Sequence, residues 1–282
     1  METEISRVTW RPFIACNAHR YRDAHFRRPW GAHFKMNFSR TRVLISVIFV
    51  LYFLLSTQIS VNAAEDEPAK LPIKELRASA KLLTVPALTV FMAGDGGWAK
   101  IDRDISGILN QHGMDILGFN SLQYFIKNRS PEECATDISN LTRNYLKRWN
   151  KSEIIMIGYS QGADVLPFVV SRLPDDLEKK IRMVVLLAPS TTASFKFHVG
   201  EWFGIETKDY HYSLVPEIAK LSSLDVLCFC GSQEKDSLCN EPVTACNKIV
   251  IAGHHHFNRD YRAIGERIWM EYQKLDSDHG KL

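Results

Sequence analysis

Residues 154–168 read IIMIGYSQGADVLPF, and this stretch decides how the whole chain should be interpreted. A β-branched apolar run ends at Gly158, and an apolar, helix-like segment follows Gly162. The pattern G-x-S-x-G between a strand and a helix is that of a nucleophile elbow, a sharp turn that exposes a serine hydroxyl. A tight Gly-Ser turn is common in unrelated proteins, but its position between these two elements makes Ser160 the candidate nucleophile.

Short apolar segments suited to buried strands alternate with helix-like segments over most of the chain. One helix-like segment opens with a capping box, in which Ser130 is followed three residues later by Glu133. Continuous apolar strands alternating with helices predict an α/β fold, in which a mostly parallel central sheet carries helices on both faces. The strand-like segments are 88–94, 114–120, 153–159, 183–190, 224–231 and 247–253.

The loops that follow these strands carry the partners that a serine nucleophile needs. A base must take the serine proton and an acid must orient the base, and in this topology they follow the serine in the order acid, histidine. Asp236 follows the strand-like segment 224–231, and Glu234 competes with it for the role of the acid. Asp236 is preferred because a disulfide through Cys239 would hold its loop in place.

Three consecutive histidines follow the last strand-like segment, so the base is chosen among them. His255 is preferred because a His-x-Phe pattern after a glycine-containing strand end is the usual arrangement in hydrolases, while His254 and His256 stay open. An oxyanion hole needs two backbone N–H groups. We expect one from Gln161 and the other from Asp95 in the glycine-rich turn 94–97, with Gly96 as the next choice.

Residues 1–64 have the character of an export signal. Nine Lys/Arg against three acidic residues precede a thirteen-residue apolar run at 43–55, and a small-residue stretch at 61–64 suits cleavage. An uncleaved anchor is the alternative, and translation from Met36 instead of Met1 stays open. We predict a lead-in linker over 65–80 and the α/β domain over 81–282.

Charge and cysteine content exclude some classes of protein. Because the whole chain has a formal charge of +3 and residues 1–64 contribute +6, the remainder carries −3 and has no clustered Lys/Arg footprint for nucleic acid. The cysteine spacing does not match a zinc site, and we predict no metal and no organic cofactor. In an exported protein disulfides are expected, so Cys239 is predicted to pair with Cys228 or Cys230, with Cys228 preferred, and free buried thiols are the alternative.

Five segments together resemble the VirJ/AcvB family of bacterial envelope proteins; they read GDGGWAKIDRDI, LQYFIKNRSPEE, IGYSQGADVLPF, FHVGEWFG and GHHHFNRDY. The resemblance extends from about Thr84 to Trp269. It implies a periplasmic α/β-hydrolase that cleaves aminoacyl esters of phosphatidylglycerol, lysyl-phosphatidylglycerol in particular, with a link to virulence and type IV secretion proteins. This chain resembles the short, single-domain form, and it departs from the family by a third histidine where glycine usually precedes the His pair.

The implied substrate carries an ammonium group, so its site should hold a carboxylate that the triad does not use. Asp164 and Asp95 are the candidates, and Trp98 is a further candidate substrate contact. The apolar segment 195–204 is either a flap that touches lipid or an ordinary buried hairpin. Two other functions stay open: a non-catalytic adaptor that binds secretion components on a hydrolase scaffold, and a hydrolase of another ester or a thioester.

Overall fold

The computed structural model describes residues 71–79, 85–196 and 211–279. The predicted export signal, its cleavage site and the choice of start lie outside these residues, as does most of the segment 195–204. Within the described ranges, no helix has the length and apolar content that a membrane crossing requires.

A seven-stranded sheet in the order β1-β3-β2-β4-β5-β8-β9 forms the centre of the domain, and two short strands, β6 and β7, pair separately. Every neighbouring pair in the large sheet is parallel except β1 with β3. The strands are β1 (Ile73–Leu76), β2 (Ala87–Met92), β3 (Asp115–Phe119), β4 (Glu153–Tyr159), β5 (Ile181–Leu187), β6 (Thr192–Ala193), β7 (Tyr212–Ser213), β8 (Val226–Gly231) and β9 (Asn247–Ile251).

Helices cover both faces of the sheet because each strand sends alternate apolar side chains to opposite sides. In β5, Val184 and Leu186 join the core cluster beneath α3 and α4, while Val185 and Leu187 join the cluster beneath α1 and α7. The predicted α/β architecture is confirmed. The helices are α1 (Lys100–Gln111), α2 (Ser121–Phe125), α3 (Pro131–Arg148), α4 (Gln161–Val170), α5 (Asp175–Glu178), α6 (Val215–Ala219) and α7 (Tyr261–His279).

The predicted capping box at the start of α3 is confirmed. The Glu133 N–H donates to Ser130 Oγ at 3.0 Å, and the Ser130 N–H donates to Glu133 Oε2 at 2.7 Å. These two bonds satisfy backbone donors that the first helical turn leaves without intrahelical partners.

The prediction of a loose linker over 65–80 is wrong for residues 73–76, which form the antiparallel edge strand β1. An ion cluster around the buried Asp115 carboxylate holds the chain that follows β1. Asp115 accepts a hydrogen bond from the Ala78 N–H at 2.7 Å and pairs with Lys151 at 2.8 Å and Arg77 at 3.2 Å. Because β1 alternates only weakly in polarity, its pairing depends on these tertiary contacts rather than on an apolar run.

The disulfide joins Cys239 to Cys230, so the preferred pairing with Cys228 is wrong. The Cα atoms of the bonded pair are 6.3 Å apart, within the range that a disulfide spans. Cys228 lies one pleat deeper in β8 and is buried with a free thiol, whereas Cys230 is nearer the strand end where the chain returns. The disulfide therefore closes the loop that carries both candidate acids.

Candidate active site

Ser160 occupies the sharp turn between β4 and α4, as the nucleophile-elbow pattern predicts. Its backbone has φ 53° and ψ −124°, a conformation that L-residues rarely adopt, and its N–H donates to Leu187 O at 2.9 Å. The two glycines of the pattern are required by close backbone approach. A Cβ at Gly158 would lie 2.4 Å from Gly162 O, and one at Gly162 would lie 2.2 Å from Met92 O.

His255 connects Ser160 to a carboxylate. Its Nε2 lies 2.8 Å from Ser160 Oγ, and its Nδ1 lies 2.8 Å from Glu234 Oε1. Because an ionised carboxylate only accepts hydrogen bonds, Nδ1 carries the proton and Nε2 is free to accept the Ser160 hydroxyl proton. The three side chains come from the loops after β4, β8 and β9, at the carboxyl ends of three parallel strands of the sheet, with β5 between β4 and β8.

The carboxylate beside His255 belongs to Glu234, so the prediction of Asp236 is wrong. The turn after β8 is hydrogen-bonded to the chain after β9, because the Gln233 N–H donates to Gly253 O at 3.0 Å. This turn aims Glu234 at His255, while the Gly231 N–H donates to its Oε2 at 2.7 Å. Asp236 lies two residues farther along, is exposed, and accepts a hydrogen bond from Thr191 Oγ1 at 2.9 Å instead.

The surroundings of His255 favour its protonated form. The hydrogen bond to Glu234 raises the pKa of His255, desolvation opposes the rise, and the nearby carboxylates of Asp164 and Asp95 add to it. An imidazole that gains a proton more readily is a stronger base, which is what removal of a serine proton requires.

His256 has a different partner and stays neutral. Burial, followed by the nearby charge of His255, lowers the pKa of His256, and burial raises that of Tyr159. The Tyr159 hydroxyl therefore keeps its proton and donates to His256 Nδ1 at 2.7 Å. This bond ties the histidine loop to β4, next to Ser160. His254 is exposed, and no contact of its side chain with Ser160 is observed among the described residues.

A cleft of about 550 Å³ opens beside Ser160 and His255. Its wall includes the glycine-rich turn 94–97, Lys100, Ile101, Tyr159, His256, Arg259 and Tyr261. A Cβ at Gly94 would lie 3.1 Å from Ser160 Cβ, so this turn passes directly beside Ser160. Asp95 is exposed in the turn, and Gln161 is the first residue of α4, where backbone N–H groups lack intrahelical partners. The oxyanion-hole assignment to these two residues stays a prediction.

Two predicted substrate contacts do not line this cleft. The Trp98 ring packs edge-on against Phe91, with ring centroids 5.7 Å apart, and lies so close to Gly118 that a Cβ there would be 2.4 Å away. Trp98 is therefore a packing residue. Asp164 Oδ1 accepts a hydrogen bond from the Ser190 N–H at 2.7 Å, and burial raises the pKa of Asp164 to about 7. The Asp164 carboxylate therefore binds the backbone of the loop after β5 and not the cleft.

The family model described as bacterial virulence protein (VirJ) matches residues 86–276, about two thirds of the sequence. The chain belongs to the VirJ family. The domain predicted over 81–282 contains the whole matched region. No curated protein matches the sequence.

Solved structures that resemble this domain are α/β-hydrolases, and the fold is therefore an α/β-hydrolase fold. Est1E from Butyrivibrio proteoclasticus with bound ferulic acid is 11% identical, with a TM-score of 0.54, and the match covers 73% of this chain and 96% of that chain. A second Est1E structure is 14% identical, with a TM-score of 0.51 and coverage of 72% and 94%. The Pyrococcus furiosus esterase Pf2001 is 14% identical, with a TM-score of 0.50 and coverage of 72% and 92%.

Three features of the site differ from what the sequence predicts or go beyond it. Glu234 rather than Asp236 lies beside His255, and its position three residues after Gly231, the spacing of a tight turn, is the signal that could have identified it. The Tyr159–His256 bond gives the third histidine a role, and nothing in the local sequence predicts it. Arg259 lines the cleft, and the sequence does not predict this because the path of the turn after the histidines is known only from the structure.

Proposed function

We propose that this protein is a serine esterase whose nucleophile is Ser160. The observation that carries the proposal is the position of His255, whose two ring nitrogens lie 2.8 Å from Ser160 Oγ and 2.8 Å from Glu234 Oε1. A surface serine at a turn needs neither partner for folding. A nucleophile, a base and an orienting acid in one hydrogen-bonded row are what acyl transfer requires.

The reaction would proceed in two half-reactions. Ser160 Oγ attacks the ester carbonyl carbon as His255 Nε2 takes its proton, and Glu234 stabilises the imidazolium that forms. His255 then gives this proton to the leaving alcohol, which leaves an acyl-serine. Water, deprotonated by His255, attacks the acyl carbon and releases the acid, and the serine regains its proton.

The tetrahedral intermediates carry a negative oxygen. We assign the stabilisation of this oxygen to the backbone N–H groups of Gln161 and Asp95. The start of α4 supplies the first of these donors, with the positive end of the helix dipole behind it. The close passage of the turn 94–97 beside Ser160 supports the second. No metal or organic cofactor takes part in these steps.

The substrate we propose is the aminoacyl ester of phosphatidylglycerol, with lysyl-phosphatidylglycerol as the main form. Membership of the VirJ family supports this choice, as does the exposed Asp95 carboxylate in the cleft wall, which suits an ammonium group. The site would then act on a phospholipid at the membrane surface.

We further propose that the protein acts in the periplasm after cleavage of its N-terminal signal, and that it is linked to virulence and type IV secretion proteins. The basic and apolar pattern of residues 1–64 supports export, and the disulfide between Cys230 and Cys239 supports an oxidising compartment. The family description as a bacterial virulence protein supports the link to virulence, and the link to secretion is what the resemblance of the five sequence segments implies.

The test uses purified protein and phosphatidylglycerol vesicles that contain lysyl-phosphatidylglycerol, with released lysine measured by mass spectrometry. Wild-type protein should release lysine, and the Ser160→Ala variant should not, although it should unfold at the same temperature. Folded wild-type protein that leaves this lipid and simple esters intact would refute the esterase and leave the adaptor function.

A further inference from the structure

Arg259 is a cation in the wall of the active-site cleft, and the described part of the chain gives it no counter-ion. It lines the same cleft as Ser160 and His255. Among the described residues its guanidinium makes no salt bridge and no side-chain hydrogen bond. Lys100, also in the cleft wall, is instead ion-paired with Asp104. Arg259 is therefore the cleft cation that is free to bind a ligand.

The backbone that presents Arg259 is unusual. Phe257, Asn258 and Arg259 have φ of 51°, 51° and 63°, so three consecutive L-residues lie in the left-handed region. Such conformations cost about 1 kcal/mol or more per residue and persist only where surrounding structure imposes them. Phe257 is fully buried, and Gly253 leaves room for the Asn258 side chain, since a Cβ there would lie 2.5 Å from Asn258 Oδ1.

This turn brings the Arg259 guanidinium close to groups of the cleft. Burial and the charge of His255 lower the pKa of His256, and the positive charge of Arg259 adds to this effect. The same charge opposes the rise that burial causes in the pKa of Tyr261. His256 and Tyr261 both line the cleft, so the guanidinium acts on the space beside Ser160 rather than on distant solvent.

We propose that Arg259 forms an anion subsite of the cleft and selects esters that carry a phosphate or carboxylate near the reacting carbonyl. A guanidinium offers a planar fork of donors that matches either oxyanion with two hydrogen bonds. With Asp95 in the same wall, the cleft would hold one group for an anion and one for a cation. This inference rests on the proposed function, because a specificity subsite requires an ester that Ser160 attacks.

Two matched esters test the subsite by hydrolysis: an aminoacyl ester of glycerol and the same aminoacyl ester of glycerol 1-phosphate. Arg259→Gln should lower kcat/KM for the phosphate-bearing ester by about tenfold or more, the usual loss for a charge-assisted hydrogen bond, and change the uncharged ester by less than about twofold. Arg259→Lys should retain part of the preference. The control is Arg262→Gln, because Arg262 is 76% exposed on α7 and does not line the cleft.

A binding measurement separates this inference from the proposed function. Titration calorimetry of glycerol 1-phosphate into the Ser160→Ala protein should show binding that Arg259→Gln weakens and Arg262→Gln does not. Such binding, found together with a folded wild-type protein that cleaves neither ester, would support the subsite and refute the esterase. Cleavage of both esters with the same loss for each in Arg259→Gln, or with no loss, would overturn the subsite and leave the esterase intact. The rate of cleavage of aminoacyl-phosphatidylglycerol in vesicles is then compared with that of the soluble aminoacyl ester of glycerol 1-phosphate. A faster rate for the lipid would assign the anion to a lipid headgroup, and equal rates would assign it to a soluble phosphate ester.

Discussion

Replacing Glu234 by glutamine tests the assignment of the acid most directly. The change removes the carboxylate charge and keeps the size of a side chain that is only 9% exposed. In the transition state His255 is an imidazolium whose charge centre lies about 4 Å from the carboxylate, and such a pair is worth about 4 kcal/mol at an effective dielectric constant of 20. Since the His255 side chain is 42% exposed, solvent screening leaves roughly half, about 2 kcal/mol.

A loss of about 2 kcal/mol corresponds to a decrease of about 30-fold in kcat, since each 1.4 kcal/mol is about tenfold. This is a lower limit, because the glutamine amide can also donate to Nδ1 and hold the imidazole in the wrong tautomer. The assay is steady-state hydrolysis of a chromogenic ester. The matched control is Asp236→Asn, which should change kcat by less than about twofold, because Asp236 contacts Thr191 and not His255.

The pH dependence of kcat/KM gives the same test a second readout. His255 must be neutral to accept the Ser160 proton, so activity rises with pH through the pKa of His255, which the bond to Glu234 raises. Removing the carboxylate lowers that pKa and should move the acidic limb of the profile to lower pH. If Asp236→Asn loses as much activity as Glu234→Gln, or if the acidic limb of Glu234→Gln stays in place, the assignment of Glu234 is incorrect.

Three further predictions concern stability. Gly162→Ala should destabilise the fold by about 2 kcal/mol or more in urea unfolding, because its Cβ would lie 2.2 Å from a backbone oxygen of β2. The control Gly107→Ala, with open space in α1, should be neutral or stabilising. Equal effects of the two substitutions would contradict the steric argument. Replacing both Cys230 and Cys239 by alanine should cost about 2 to 3 kcal/mol and loosen the acid loop, and an unchanged melting temperature would refute this. Burial raises the pKa of Asp102 from 3.8 to about 7. Between these pH values the folded state binds one more proton at Asp102 than the unfolded state does, so this carboxyl group should lower the free energy of unfolding as pH rises. Asp102→Asn should remove this contribution when unfolding is measured across that pH range.

Much of the fold and the sharp turn at Ser160 could be predicted from the sequence, because their signals are local. The alternation of apolar strands with helices requires only neighbouring residues, and the structure confirms it. The glycines on either side of Ser160 are likewise visible in five letters, and each is needed where two backbones meet. Strand β1 was not predicted, because its four residues of mixed polarity resemble a linker in sequence. Its strand conformation depends on pairing with β3.

By itself the sequence determined that an α/β sheet would place a serine, a histidine and an acid at the same edge, since hydrophobic periodicity locates the strands and the loops that follow parallel strands meet at one edge. Only the tertiary structure decided which members of each close set are used. Glu234 rather than Asp236 meets His255, and Cys230 rather than Cys228 meets Cys239. Residues two apart on a strand or in a loop have nearly the same local signal. Their distances to a partner on another strand differ by several ångströms, and these distances depend on the path of the turns between the strands.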